Sequence, residues 1–152
     1  MQINLKPVAF VKNSRTEVID DHWGGIISEI ELADHIPAAA LEGISGYSHL
    51  EIIFFFDKLK KEELIFARRP RGNPDYPMTG IFAQRAKVRP NSLGLCTVEL
   101  IEHKGRILIV KNLDAINGTP VLDIKPVVKE FQPKGDIRQP GWVSDLMKHY
   151  WK

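Results

Sequence analysis

The sequence has little of what the common small-domain scaffolds depend on. Its single cysteine, Cys96, cannot close an intrachain disulfide, and its five histidines have no metal-ligand spacing. Disulfide scaffolds and structural zinc domains are therefore excluded, so we expect no metal, a reducing cytoplasmic environment and a fold held by packing alone. The 152 residues, 43% of them hydrophobic, suffice for one substantial core. We predict a single domain over residues 1–152.

Signals for export, membrane insertion and common nucleotide-binding folds are also missing. The amino terminus, MQINLKPVAF, has neither the basic start nor the long apolar run of a signal peptide. No segment approaches the roughly 20 apolar residues that span a bilayer, so we expect a soluble protein that does not act in a membrane. The sequence has no Gly-x-Gly-x-x-Gly and no Gly-x-x-x-x-Gly-Lys-Ser/Thr motif, which argues against Rossmann and P-loop domains.

Apolar residues recur mostly with the two-residue period of β-strands. Val8 and Phe10 begin the pattern, and residues 26–32 alternate between two faces, one of which carries the glutamates. Residues 50–56 (LEIIFFF) form a continuous apolar run. Such a run is typical of a strand covered on both faces, either in a closed barrel or under a partner subunit. We therefore predict a mainly β chain.

Turn and helix signals complete the layout. A turn containing Gly105 predicts a hairpin between strands at 97–102 and 106–112, because glycine readily adopts positive φ. A proline within the alanine-rich segment 33–41 limits it to a short helix or turn. From Gly141 onward, apolar side chains recur at three- and four-residue steps, which predicts a carboxyl-terminal amphipathic helix. Sealing the core is its simplest role.

Positive charge is concentrated locally rather than overall. A formal net charge of +2 is too small to indicate nucleic-acid binding by itself. Basic side chains cluster, however, in the Pro- and Gly-bearing excursion 59–77 and shortly after it, and a solvated loop is the commoner explanation for such a run. The clustered residues are Arg68, Arg69, Arg71, Arg85 and Lys87.

Two polar segments interrupt the strand pattern. In residues 80–98, the run Arg89-Pro90-Asn91 before Gly94 combines a planar cation, a rigid φ and an amide with a permissive backbone position. This combination suits the binding of a polar ligand.

The second polar segment is 114–126, in which Asn117-Gly118 predicts a turn. After the turn, Thr119, Asp123 and Lys125 are expected to alternate on one side of an extended segment and to converge on a ligand. A turn followed by an edge strand with a solvated polar face gives the same pattern, and spacing alone favours that interpretation.

These segments resemble the signature of the TrmO family, also called TsaA-like or VirR-type proteins. The pattern resembled is GIFA-x-R-x-x-x-RPN-x-x-GL-x-x-V followed by GTPVLDIKP, and residues 80–98 and 118–126 carry both in that order. Residues 7–11 are similar to the family's opening strand, and residues 41–50 to its Leu-x-Gly-Leu-x-x-Phe-Ser-His-Leu segment. The likeness runs from about residue 7 to about residue 126. Departures include Cys96 in place of Ser and Asn117 in place of Asp.

The resemblance implies a compact single-domain β-barrel methyltransferase with short helices, acting as a homodimer that holds S-adenosylmethionine near the subunit interface. It also implies the substrate, because characterised family members methylate N6 of threonylcarbamoyladenosine beside the anticodon of tRNA. The basic cluster would then contact phosphates around the anticodon loop. By resemblance, the cofactor pocket would be lined by Arg89, Asn91, Leu95, Thr119, Val121, Leu122 and Asp123.

Methyl transfer depends more on alignment than on acid–base groups, since the methyl group of the cofactor is already activated. A carboxylate that relieves the acceptor of its proton would assist, and Asp123 is the first candidate and Asp114 the second. Two alternatives remain open: a cofactor- or RNA-binding module without transfer activity, and a methyltransferase for another small substrate.

Overall fold

Six antiparallel strands close into a barrel in the structure, a computed structural model that describes residues 1–60 and 63–152. In chain order the strands are β1 (Ala9–Lys12), β2 (Ile27–Leu32), β3 (His49–Phe55), β4 (Ala67–Arg68), β5 (Thr79–Gly80), β6 (Leu93–Lys104), β7 (Ile107–Lys111) and β8 (Pro120–Pro126). The barrel order is β1-β2-β7-β6-β3-β8, and β4 and β5 form a separate two-stranded ribbon. The prediction of a mainly β barrel is confirmed.

Side chains from one face of each barrel strand point inward and form the core. Along β2 the buried side chains are Ser28, Ile30 and Leu32, as the alternation predicts. In β1 the apolar residue Phe10 lies on the outer face and is 41% exposed. Pairing with β2 instead directs the two apolar residues of the opposite face into the core. Those two residues are Ala9 and Val11.

The apolar run at 50–56 belongs to β3, which pairs with β6 on one side and β8 on the other. Its inward side chains, Leu50, Ile52 and Phe54, are almost fully buried. Ile53 is half-buried on the outer face and Phe55 is 38% exposed there. A closed barrel therefore accounts for the run, while part of its outer face remains open to a partner.

The predicted hairpin is confirmed as β6 and β7, joined at Gly105, which has a φ of 57°. β6 is long, and only its second half pairs with β7, from Glu99 onward. Its first half, residues 93–98, pairs with β3 alone. The edge of β6 opposite β3 is therefore free of a strand neighbour within the described residues.

The short helices lie outside the barrel. The alanine-rich segment contains a 3-10 turn at Ala38–Leu41, as the proline predicts, and the carboxyl end contains the helix α1 at Gly141–Leu146. The helix is confirmed, but no residue of α1 is fully buried. Its role therefore differs from the expected sealing of the core. No helix in the described ranges has the length and apolarity needed to cross a membrane.

The C-terminal segment, defined here as residues 141–152, is docked on the loop that precedes β2. The Trp23 amide donates to the Tyr150 carbonyl at 2.7 Å, and the His22 amide donates to the His149 carbonyl at 3.2 Å. A Cβ atom placed on Gly24 would lie 1.8 Å from the Trp151 carbonyl oxygen. Glycine is required at this contact because any side chain would push the C-terminal segment away.

Candidate active site

A cavity of about 1160 Å³ opens beside the free edge of β6. Ligand cavities typically enclose roughly 300–1,000 Å³, so a nucleoside-sized ligand fits with room for part of a second molecule. Its walls are residues 93–97 of β6, the loop 82–91, the loop 114–119 and the C-terminal segment. The two polar segments singled out in the sequence therefore face the same cavity. The C-terminal segment contributes Trp142, Val143, Leu146, Met147, Tyr150 and Trp151.

The carboxylates Asp114, Asp20 and Asp57 line this cavity, and Asp114 is less exposed than the other two. The hydroxyl of Tyr150 donates a hydrogen bond to Asp114 Oδ2 at 2.5 Å. The other oxygen, Oδ1, is buried and has no hydrogen-bond partner among the residues that the structure describes. The neighbouring side chains Leu113 and Ala115 are buried in the core, which fixes the backbone on both sides of Asp114. A buried unpaired acceptor on a residue that lines a cavity favours a ligand that supplies an N–H or O–H donor.

Two protonated groups lie beside this carboxylate. Burial raises the pKa of the Tyr150 phenol above its ordinary value, and the nearby Asp114 raises it further. Burial likewise raises the pKa of the Cys96 thiol, with a second contribution from Asp114. Both groups are therefore neutral at physiological pH. The thiol donates to the Asn112 carbonyl at 3.2 Å and is not an activated nucleophile.

Arginine side chains hold the loop 82–91 in place. Arg89 donates to the carbonyls of Gln84 and Ala86, at 3.1 and 3.2 Å. Arg85 donates to the Leu95 carbonyl at 2.5 Å, on the free edge of β6. Both guanidinium groups thus have structural partners, and each also lines the cavity.

The segment that contains Thr119 also lines the cavity. Gly118 has a φ of 84°, which confirms the predicted turn. The Thr119 hydroxyl donates to the Ile116 carbonyl at 2.7 Å, and its side chain is buried at the cavity wall. The Asn117 side-chain oxygen accepts a hydrogen bond from the Asn13 backbone amide at 3.2 Å. This bond holds the turn against the end of β1. The asparagine that departs from the family pattern therefore has a structural contact.

A β-bulge at Leu122 separates Asp123 from Thr119. Phe54 of β3 pairs with Val121, and the preceding residue of β3 pairs with Asp123, so Leu122 is an extra residue. The expectation that Thr119, Asp123 and Lys125 share one side is wrong, because the bulge reverses the alternation. Asp123 lies on the outer face, where its carboxylate is 2.8 Å from the Lys125 ammonium group.

The structure thus brings together part of the predicted cofactor set. Arg89, Asn91, Leu95 and Thr119 line the cavity. Val121 is fully buried in the core, and Leu122 and Asp123 lie in β8 outside the cavity lining. Of the two carboxylates considered for catalysis, Asp114 lines the cavity and Asp123 does not.

Several of the predicted RNA contacts already have polar partners. Arg71 forms a bidentate pair with Asp21 at 2.9 and 3.0 Å and holds the pKa of Asp21 below its ordinary value. Lys87 pairs with Asp20 at 2.9 Å. Arg69 donates to the carbonyl of Pro74 and to that of the nearby Tyr76, so it braces its own loop. These three charges are therefore less available to phosphate than the sequence suggests.

Arg68 differs from the other members of the basic cluster. Its side chain lines the cavity and has no polar partner within residues 1–60 and 63–152. Arg85 is exposed at the same cavity, although one of its nitrogens is engaged with Leu95. Of the basic cluster, these two arginines therefore supply the positive charge available at the cavity, and Arg138 of the segment before α1 also lines it.

Tyr150 is the site residue that sequence reasoning missed. Its spacing from Val143 and Met147 assigned it to the apolar stripe of the terminal helix, and that pattern does not distinguish a core contact from a cavity wall. Nothing in the sequence signals its hydrogen bond to Asp114, because the two residues are 36 positions apart. Among the described residues, no group of three or more His, Cys, Asp or Glu side chains is arranged to hold a metal ion.

The loops around the cavity coincide with a known family pattern. The family model described as the tRNA-methyltransferase O N-terminal domain matches residues 21–132, which include both motif segments and Asp114. The chain belongs to this family. The TrmO match ends before the C-terminal segment, so the cavity wall that carries Tyr150 lies outside the matched region.

Relatives of this TrmO-family chain have two kinds of name. A Methanothermobacter thermautotrophicus protein, 35% identical over 138 residues, is named a probable S-adenosyl-L-methionine-binding protein, and the match covers 89% of this chain and 97% of that protein. A Pyrococcus abyssi protein of similar name is 39% identical over 104 residues, which cover 68% of this chain and 54% of the relative. The Escherichia coli tRNA (adenine(37)-N6)-methyltransferase is 36% identical over 99 residues, which cover 62% of this chain and 42% of that protein.

A solved structure supports the same relationship. The crystal structure of TrmO from Pseudomonas aeruginosa superposes with a TM-score of 0.75 at 26% identity, covering 93% of this chain and 62% of that one. The chain therefore spans about half the length of the Pyrococcus relative and less than two thirds of the TrmO chain of known structure. Both larger proteins contain substantial further sequence.

Proposed function

We propose that this chain is an S-adenosylmethionine-dependent methyltransferase that modifies N6 of an adenosine beside the anticodon of tRNA. The observation that carries the proposal is the match of residues 21–132 to the tRNA-methyltransferase O domain, whose two motif segments both line one cavity. The name of the Escherichia coli relative gives the reaction class and the modified position. Threonylcarbamoyladenosine is the substrate implied by the family resemblance.

The cavity fits S-adenosylmethionine in size and in chemistry. Its volume of about 1160 Å³ exceeds that of usual cofactor pockets, which leaves space for an acceptor base. Trp142, Trp151 and Phe82 supply aromatic surface, which favours a positively charged ligand such as a sulfonium. The unpaired carboxylate oxygen Asp114 Oδ1 adds a hydrogen-bond acceptor that carries negative charge. When bound, the cofactor supplies an activated methyl group.

In this proposal Asp114 accepts the proton that the acceptor nitrogen loses. The cofactor, when bound, would supply the methyl group that N6 gains, and Asp114 Oδ1 would take up the proton that N6 loses. The lysine-paired Asp123 is less suited to this role, since its carboxylate pairs with Lys125 on the outer barrel face and it is not among the residues that line the cavity. Arg85 and Asn91 are placed at the cavity mouth to orient polar groups of the ligands.

A homodimer would cover the outer face of β3, β6 and β8. Ile53, Phe55, Leu93 and Leu95 form adjacent apolar positions on this face, three of them more than a third exposed, and all but Phe55 also line the cavity. Asp123 pairs in register with Ile53 and so borders the patch. We propose that a second copy covers this surface, which would bring Leu122 and Asp123 close to the cavity of the partner. Sedimentation equilibrium of the full chain would measure the mass of the assembly.

The proposed function is tested with the full chain, S-adenosylmethionine and tRNA that carries threonylcarbamoyladenosine but lacks the methyl group. We expect methyl incorporation, detected by mass spectrometry of the tRNA nucleosides, and calorimetric binding of S-adenosylmethionine. Such a substrate would also imply a cytoplasmic location. Binding without incorporation into this or any tRNA nucleoside would instead support the second candidate, a cofactor-binding module, which the names of the archaeal relatives favour.

Arg68 provides a test of RNA binding. Arg68→Glu is expected to weaken tRNA binding and to reduce the slope of log affinity against log salt by about 1, because each phosphate contact releases about one counterion. Lys104→Glu is the control, since Lys104 lies at the end of β6 away from the cavity lining. Filter binding at several salt concentrations measures both. Equal slopes for the unmodified chain and Arg68→Glu would show that this arginine is merely solvated.

A further inference from the structure

We propose that Tyr150 is a positioning residue that clamps Asp114 Oδ2, so that Asp114 Oδ1 alone faces the acceptor nitrogen in the cavity. This inference rests on the proposed methyltransferase function. It assigns to the C-terminal segment, which lies outside the matched family domain, one part of the active site. The ligand group that this arrangement selects is an N–H donor.

The geometry of the carboxylate carries the inference. A carboxylate on an unconstrained side chain can present either oxygen to a ligand, and its rotation costs little. Here the Tyr150 hydroxyl engages Oδ2 at 2.5 Å, while Oδ1 is buried without a partner in the described part of the chain. The hydrogen bond therefore both orients the carboxylate plane and reserves one oxygen for a ligand. Alignment of this kind is what methyl transfer requires from the protein.

The backbone and the ring of Tyr150 are each held in place. Its carbonyl accepts from the Trp23 amide at 2.7 Å, and its ring packs edge-on against Trp151 with centroids 5.0 Å apart. The Tyr76 hydroxyl donates to Asp145 Oδ2 at 2.6 Å and docks an earlier part of the segment. The backbone and ring contacts of Tyr150 thus hold the hydroxyl that contacts Asp114. A loosely held side chain would orient the carboxylate poorly.

The groups around Asp114 keep the Tyr150 phenol protonated, so that it can donate its hydrogen bond to the carboxylate. Tyr150 comes from the C-terminal segment, Cys96 from β6 and Arg85 from the loop 82–91. Burial raises the pKa of both Tyr150 and Cys96, so each retains its proton. Arg85 is near enough to oppose these shifts, and Arg71 also interacts with Tyr150. The phenol therefore remains a hydrogen-bond donor while Asp114 remains the acceptor.

The test compares two Tyr→Phe variants, each of which removes one hydrogen bond from a tyrosine hydroxyl to a carboxylate. In one pair the C-terminal segment supplies the tyrosine, and in the other it supplies the carboxylate. Tyr150→Phe is expected to lower kcat for methyl transfer by about 10-fold, the size expected for a bond to a charged group. KM for S-adenosylmethionine should change by less than about twofold, because the aromatic surface is retained. Tyr76→Phe removes the anchor at Asp145 but no contact of Asp114, so kcat should stay within about twofold.

A double-mutant cycle distinguishes positioning from simple docking of the segment. In an Asp114→Asn background, Tyr150→Phe should cause little further loss of kcat, since the carboxylate it orients is gone. Asp114→Glu tests the same idea without altering the docked segment: it keeps the charge but moves the oxygens, and kcat should also fall by about 10-fold. Thermal melting checks that each variant is folded at the assay temperature.

Three results would overturn the role of Tyr150 while leaving the proposed function intact. They are an active Tyr150→Phe with unchanged kcat, equal losses in Tyr150→Phe and Tyr76→Phe, and full activity of Asp114→Glu. If Tyr150→Phe melts below the assay temperature, Asp114→Glu decides alone. Failure of the unmodified chain to transfer a methyl group would contradict the proposed function itself, which the nucleoside assay detects separately.

Discussion

Asp114→Asn is expected to lower kcat for methyl transfer by about 10²–10⁴-fold, the usual contribution of a positioned general base. The substitution preserves the shape of the side chain and leaves an amide that can still contact Tyr150. It removes the acceptor of the N6 proton and the negative charge that favours a sulfonium ligand. Steady-state kinetics with saturating tRNA give kcat, and calorimetry gives the affinity for S-adenosylmethionine. We expect the loss mainly in kcat.

The matched comparison is Asp123→Asn, which changes the other carboxylate that the sequence nominates. Asp123 is half-exposed on the outer barrel face and paired with Lys125, so its removal should reduce kcat far less. A collapse of activity in Asp123→Asn together with near-normal activity in Asp114→Asn would contradict the assignment. That outcome would place the reacting groups at a subunit interface rather than inside the cavity.

The architecture could be predicted from local patterns. The alternation in β2, the apolar run of β3 and the glycine of the β6–β7 turn each depend on side-chain periodicity or on backbone freedom, which neighbouring residues determine. The meeting of the loops 82–91 and 114–119 at one cavity followed from family resemblance. Composition and spacing alone left the second of these segments indistinguishable from a solvated edge strand.

The errors arose where long-range pairing decides the orientation of a side chain. One extra residue at Leu122 turns Asp123 outward, and a bulge of this kind leaves no periodic signal in an apolar segment. The basic cluster was similarly misleading, because Asp20 and Asp21 are about 50 residues from Arg71 in the sequence but pair with its side chain. Tyr150 shows the same limitation, since its partner is fixed only by the closed fold.

Gly94→Ala is expected to destabilise the protein by about 1–3 kcal/mol, the usual cost of overpacking a core. Gly94 lies in β6 opposite Phe54 of β3, and both positions face the barrel interior. A Cβ atom at Gly94 would lie 2.3 Å from the Phe54 ring, and that ring is 1% exposed with little room to move. Urea denaturation should show a lower midpoint with an unchanged slope.

The control for Gly94→Ala is Gly46→Ala, since a Cβ atom there would meet nothing within 4 Å. This variant should remain within about 0.5 kcal/mol of the unmodified chain. Phe54→Leu tests the cause: alone it should destabilise the core, but combined with Gly94→Ala it should cost less, because the smaller side chain relieves the contact. Additive effects of the two substitutions would show that the ring does not require glycine at this position. Since Phe54 also borders the cavity, the double variant has an altered cavity wall, so the free energy of unfolding and not the activity is the measure of the contact.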